Sequence, residues 1–185
     1  MGIKFPRVNW DRITDDKALA IAAYGRSVAA YRFIVLAEKS GGGGAGVVGG
    51  VVGGGREGLR EIFEQLAALE RARRDRLQTL LAQLSPEGSF CLSNEDKLIV
   101  CVGPRLVDAR DDARLDEAMK LVIGSAKRTA SFYARYAGVA RDAIVRATFE
   151  DMAVEALAQV RRLREVFQMA GRQISEPCPV QQIRG

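Results

Sequence analysis

The 185 residues contain no histidine, so the commonest transition-metal ligand and the usual general base near neutral pH are both missing. Chemistry is left to carboxylates, guanidinium groups, phenols and thiols. Cys91, Cys101 and Cys178 are odd in number and match no zinc spacing, which predicts thiols that pack rather than react. Glu70 and Arg73 stand three residues apart, neighbours on one face of a helix. Left in solvent, such a pair contributes only about 0.3 kcal/mol. Arg71, Arg73, Arg74, Arg76, Arg161, Arg162 and Arg164 would make a basic surface, but Glu64, Asp75 and Glu165 dilute it and no aromatic residues interleave. Nucleic-acid binding is therefore not expected. Gly44-Ala-Gly46-Val-Val-Gly49 has the spacing of a dinucleotide fingerprint. That motif needs a preceding strand, whereas a helical pattern precedes this one, and the reading is a linker.

The elements that must position these groups are helical. With 48% apolar residues the chain is long enough for one domain with a core. Apolar positions Leu19, Ala22, Ala23, Ala30, Phe33, Ile34 and Leu36 recur at helical steps and predict a first helix over 14–39, opened by Thr14, Asp15 and Asp16. Leu59, Ile62, Phe63, Leu66, Leu69, Leu77, Leu80 and Leu81 predict a second over 57–84. A third over 115–136 and a fourth over 142–169 complete an all-α four-helix bundle spanning 1–172. Residues 41–55 hold ten glycines, four valines and one alanine and read as a flexible loop; 173–185, with Pro177 and Pro179, reads as an extended tail. The crossover at 85–112 is expected to carry a short β-hairpin, with strands 89–93 and 98–102 around an Asn94–Lys97 turn. Net charge is +5, with only six lysines among 28 basic residues. No long uncharged apolar run or signal-peptide pattern is found, so a cytoplasmic protein with no membrane span is expected.

The second helix reads Phe63-x-x-Leu66-Ala67-x-x-Glu70-x-x-Arg73-x-x-x-Leu77, and the fourth repeats the frame as Phe149-x-x-Met152-Ala153-x-x-Ala156-x-x-Gln159-x-x-x-Leu163. Ala126-Lys127-Arg128-Thr129-x-x-Phe132-Tyr133 in the third helix and Tyr24-x-x-x-Val28-x-x-Tyr31 in the first continue the pattern. Together they resemble the ferritin-like superfamily, in its rubrerythrin-type four-helix form. The resemblance implies a di-iron site built from one Glu on each of two helices and a Glu-x-x-His pair on each of the other two. Transferred onto this chain, those positions are Tyr24 (or Gly25), Glu70, Arg73, Ala126, Ala156 and Gln159. Only Glu70 keeps a ligand type.

The resemblance therefore implies a degenerate site with no metal, no cofactor and no catalytic residue. In that frame Glu70 and Arg73 point inward, the guanidinium replacing the metals as counter-ion. Glu150 and Glu155 lie out of register with it, and Tyr31, Phe132 and Tyr133 are expected in the core. The function so implied is that of a non-catalytic structural or accessory subunit acting through protein–protein contact, as a homodimer or part of a larger assembly. Two alternatives stand beside it: a rubrerythrin-like oxidoreductase or ferroxidase with an atypical metal site, and a carrier holding a small ligand in the vacated pocket.

Overall fold

The structure, a computed structural model, describes residues 8–41, 54–88, 91–101 and 112–169. It is all-helical among these residues: a 3-10 turn at Trp10–Arg12, then α1 (Asp15–Gly41), α2 (Gly54–Leu84), α3 (Asn94–Val100), α4 (Asp112–Ala137) and α5 (Ala143–Met169). The four long helices coincide with those predicted. Of the expected glycine loop, Gly41 ends α1 and Gly54 and Gly55 begin α2, while 42–53 and the tail at 173–185 lie outside the described residues.

α1 packs along α2, and α4 along α5. Two apolar clusters fill the interior. One gathers Leu19, Ile21, Leu77, Tyr133, Tyr136 and Phe149 among others. The second gathers Phe33, Leu36, Phe63, Leu66, Ile123 and Leu163. Along α1 and α5 the chain passes from the first cluster to the second, and along α2 and α4 from the second to the first. α2 therefore runs antiparallel to α1, α5 antiparallel to α4, and α2 and α4 run the same way. A connection joining two parallel helices must return the length of the molecule, which is why a long crossover separates α2 from α4.

α1 is buried on more than one side. Every residue from Ala18 to Ala23 is buried, because α2, α3 and α4 all pack on this helix. Its Asp15–Ser40 span is long and apolar enough, at a mean hydropathy of 1.3, to cross a membrane by length and composition; 61% of that window is covered inside the fold, as a central core helix would be. Tyr31, expected in the core, is 49% exposed. It shares with Glu38, seven residues on, the α1 strip that stays exposed.

The expected hairpin is corrected by α3, which occupies its turn and most of its second strand. Residues 89 and 90 and 102 lie outside the described residues. Ser93 caps the helix: its Oγ accepts from the Asp96 amide at 3.1 Å, and Asp96 Oδ2 accepts from the Ser93 amide at 3.0 Å. This reciprocal capping box satisfies two amides that a turn would leave to water. Lys17 Nζ lies 2.9 Å from Asp96 Oδ1 and ties α3 to α1. The two helices approach closely at Gly25, where a Cβ would meet Val100 Cβ at 3.1 Å.

The start of α1 is held from the far end of the chain. Asp15 accepts from Tyr136 Oη at 2.7 Å and from the amides of Asp142 and Arg141 at 2.8 and 3.3 Å. Burial alone would raise its pKa, but these hydrogen bonds outweigh burial and hold it below the usual carboxylate value. Asp142 in turn caps α5, accepting from the Ile144 and Val145 amides at 2.7 and 3.0 Å.

Candidate functional site

Between the two apolar clusters lies a polar layer to which three long helices contribute charge. Arg26 of α1 is 3% exposed and Glu70 of α2 is 1% exposed. Charged groups are buried this deeply only when paired. Arg26 Nη1 donates to both Glu70 oxygens, at 3.2 and 3.1 Å. Arg73 Nη1 donates to Glu70 Oε1 at 3.0 Å and to Gln159 Oε1 at 3.5 Å. Glu155 of α5 closes the ring, with Oε2 at 3.0 Å from Arg73 Nε and 3.8 Å from Arg26 Nη2. Two guanidinium groups thus alternate with two carboxylates, and the layer is formally neutral. It also graduates outward, from the buried Arg26–Glu70 pair through Arg73 to a Glu155 side chain that is 42% exposed.

Tyr133 of α4 supports this layer from below. Its ring lies 5.1 Å from the Arg26 guanidinium carbon, a cation–π stack, and packs on Phe132 and Phe149. Burial pushes the Tyr133 phenol up to about 12, with Arg26 pulling it back and Glu70 adding to the rise, so the group is a neutral hydroxyl at physiological pH. For Arg26, burial alone would lower the pKa, and Tyr133, Glu70 and Glu155 more than reverse that. It stays a cation.

A cavity of about 40 Å³ opens beside the layer, lined on its polar side by Arg26, Arg32, Glu70, Ser125, Thr129, Tyr133 and Gln159. Gly25, Ala126 and Ala156 line it too. Of the positions transferred from the family frame, Glu70, Ala126, Ala156 and Gln159 thus converge on one space, Arg73 reaches it through Glu70 and Gln159, and Gly25 rather than Tyr24 faces it. Tyr24 sits aside, its ring 5.9 Å from Lys97 Nζ. Among the described residues, no three His, Cys, Asp or Glu side chains come together as a metal cluster would require.

Comparison with protein-family models, with characterised proteins and with solved structures gives no match for this chain. The functional reading rests on the residues themselves.

Sequence reasoning missed Arg26, although the signal was present: it is the single charged residue between Ala18 and Tyr31. Glu155, read as out of register, reaches the layer from its edge. Phe132 and Tyr133 are buried as expected. The cysteines divide: Cys91 is exposed, against the expectation that it packs, while Cys101 is partly covered with Sγ 3.7 Å from Arg32 Nη2. Cys178 lies outside the described residues. Among the α2 arginines that acids were read as diluting, Arg74 is held by Asp75 at 2.7 Å and Arg73 turns to Glu70.

Proposed function

We propose that this chain is a metal-free relative of the rubrerythrin-type ferritin-like proteins, in which an ion-pair layer holds the centre of the helices where the family has two metal ions. Its role is that of a structural or accessory subunit, non-catalytic and working through its surface. One observation carries this reading: two of the positions where ligands would converge, Glu70 and Arg73, belong to an alternating ion-pair ring completed by Arg26 and Glu155. Guanidinium groups occupy the space beside the one retained carboxylate, and positive charge there repels a cation that the donors are too few to hold. The antiparallel pairing of α1 with α2 and of α4 with α5, joined by a long crossover, supports the family assignment.

A surface role agrees with the outer face of α5, where Val154 and Leu157, three residues apart, are 70% and 52% exposed. Large apolar side chains left together in water favour burial against a second surface. A homodimer is the assembly that the family resemblance implies. Native mass spectrometry of protein taken directly from cells tests the proposal. It predicts masses of two or more chains, alone or with a second protein, and no metal increment. A lone chain carrying two metal ions would overturn it.

A further inference from the structure

The outer face of α5 carries a pattern that the core does not explain. Ala147, Glu150, Val154, Leu157 and Arg161 follow one another at alternating steps of three and four residues, and all five are exposed. That spacing sets them in one strip along the helix, as in the seam of a coiled coil. Val154 and Leu157 in its middle are both more than half exposed. Glu150 and Arg161 flank them, and neither has an ion-pair partner among the described residues.

The strip is complementary to itself in one arrangement. The midpoint of Val154 and Leu157 is also the midpoint of Glu150 and Arg161. A two-fold axis there turns the strip end for end, so that Val154 meets the partner's Leu157 and Glu150 meets the partner's Arg161. Each contact then occurs twice, as a two-fold interface requires. Glu150 and Arg161 lie about 16 Å apart along the helix, so the two ion pairs bracket the apolar centre. Parallel packing of the same strips would set Glu150 against the partner's Glu150 and Arg161 against the partner's Arg161, which like charge disfavours.

We propose that α5 pairs antiparallel with α5 of a second copy of this chain, through a two-fold interface centred between residues 155 and 156, with Val154 and Leu157 in the middle and Glu150–Arg161 ion pairs on either side. The inference rests on the reading of the chain as a subunit that works through its surface, and it supplies the face and the partner. Charge complementarity selects a second copy, because an unrelated apolar partner would not need acid and base placed symmetrically about the apolar pair.

Sedimentation velocity of the intact chain at micromolar concentration tests it, and a dimer is expected. Glu150→Arg and Arg161→Glu each set like charges face to face at both ends of the interface, and each should raise the dimer dissociation constant about a hundredfold. Both residues are exposed, so circular dichroism should show the same helix content in either variant. An equimolar mixture of the two variants should regain the dimer as a heterodimer, and the two changes placed in one chain should regain it as a homodimer. Dimers that neither reversal weakens, or weakened ones that neither the mixture nor the double variant restores, would overturn this interface and leave the subunit role standing. A parent that runs as a single chain would overturn the proposal in favour of the chain's own 173–185 tail or of a different protein on this face. Metal bound to that single chain would overturn the subunit reading as well.

Discussion

Arg26 and Arg73 both contact Glu70, but their situations differ. Arg26 supplies hydrogen bonds to both oxygens and is buried with its partner; Arg73 supplies one and is itself 16% exposed. Removing Arg73 leaves Glu70 still paired, so Arg73→Ala should cost about 1 kcal/mol. Arg26→Met unpairs a fully buried carboxylate on one side and should cost about 3 kcal/mol. Changing Glu70→Leu together with Arg26→Met should restore most of that loss, since an apolar pair of similar volume no longer carries buried charge. Urea unfolding measures all three. An Arg26→Met effect no larger than that of Arg73→Ala would show that the ring is not the electrostatic centre of the core. At this scale the sequence was partly legible. The spacing of Glu70 and Arg73 within the helix frame was enough to suggest that both turn inward. The partner on α1 was not legible, because the ligand frame falls on Tyr24 or Gly25, immediately before the lone arginine.

The long helices were legible because each shows three or more turns of apolar periodicity, and tertiary packing of that stripe decides the outcome. α3 was not. Its seven residues are too few for periodicity to speak, and a polar tetrad followed by Leu98-Ile99-Val100 fits a turn and a strand as well as a capped helical turn. The deciding signal was local, Ser93 and Asp96 three apart, with the apolar run beginning two residues later at Leu98. A different local interaction governs how the elements are latched. Asp15 joins the start of α1 to the α4–α5 turn, and its pKa is lowered in the folded protein. A carboxylate with a depressed folded pKa stabilises fully above its unfolded value of 3.8, and the contribution disappears as pH falls through the lower folded value. Asp15→Asn should therefore melt below the parent protein at pH 7, with the gap closing as pH drops below 3.8. A gap in melting temperature that stays constant down to pH 2 would show that the latch does not depend on the carboxylate charge. Asp96, whose pKa is likewise lowered despite burial by Lys17 and Ser93, remains in both proteins and cancels in the comparison.

At the scale of the molecule, a neutral polar layer separates two apolar clusters midway along four helices. Such a layer costs desolvation that a continuous apolar core would avoid. It also fixes which residues face one another, since Glu70 meets Arg26 and Glu155 meets Arg73 in only one vertical register of the helices. Composition signalled half of this, because a chain without histidine cannot supply the imidazole ligands that the proposed family reading would require. It could not signal that arginines from two helices would fill the centre, since that depends on α1 and α2 lying side by side with opposed directions. The central claim is that this ring stands in place of metal ions, and elemental analysis tests it most directly. Protein purified without chelators, and the Arg73→His variant beside it, should contain no stoichiometric iron, manganese or zinc, because adding a divalent cation would require expelling guanidinium groups from a balanced site. About two metal ions per chain, with oxidase or peroxidase turnover that follows metal content, would contradict the account.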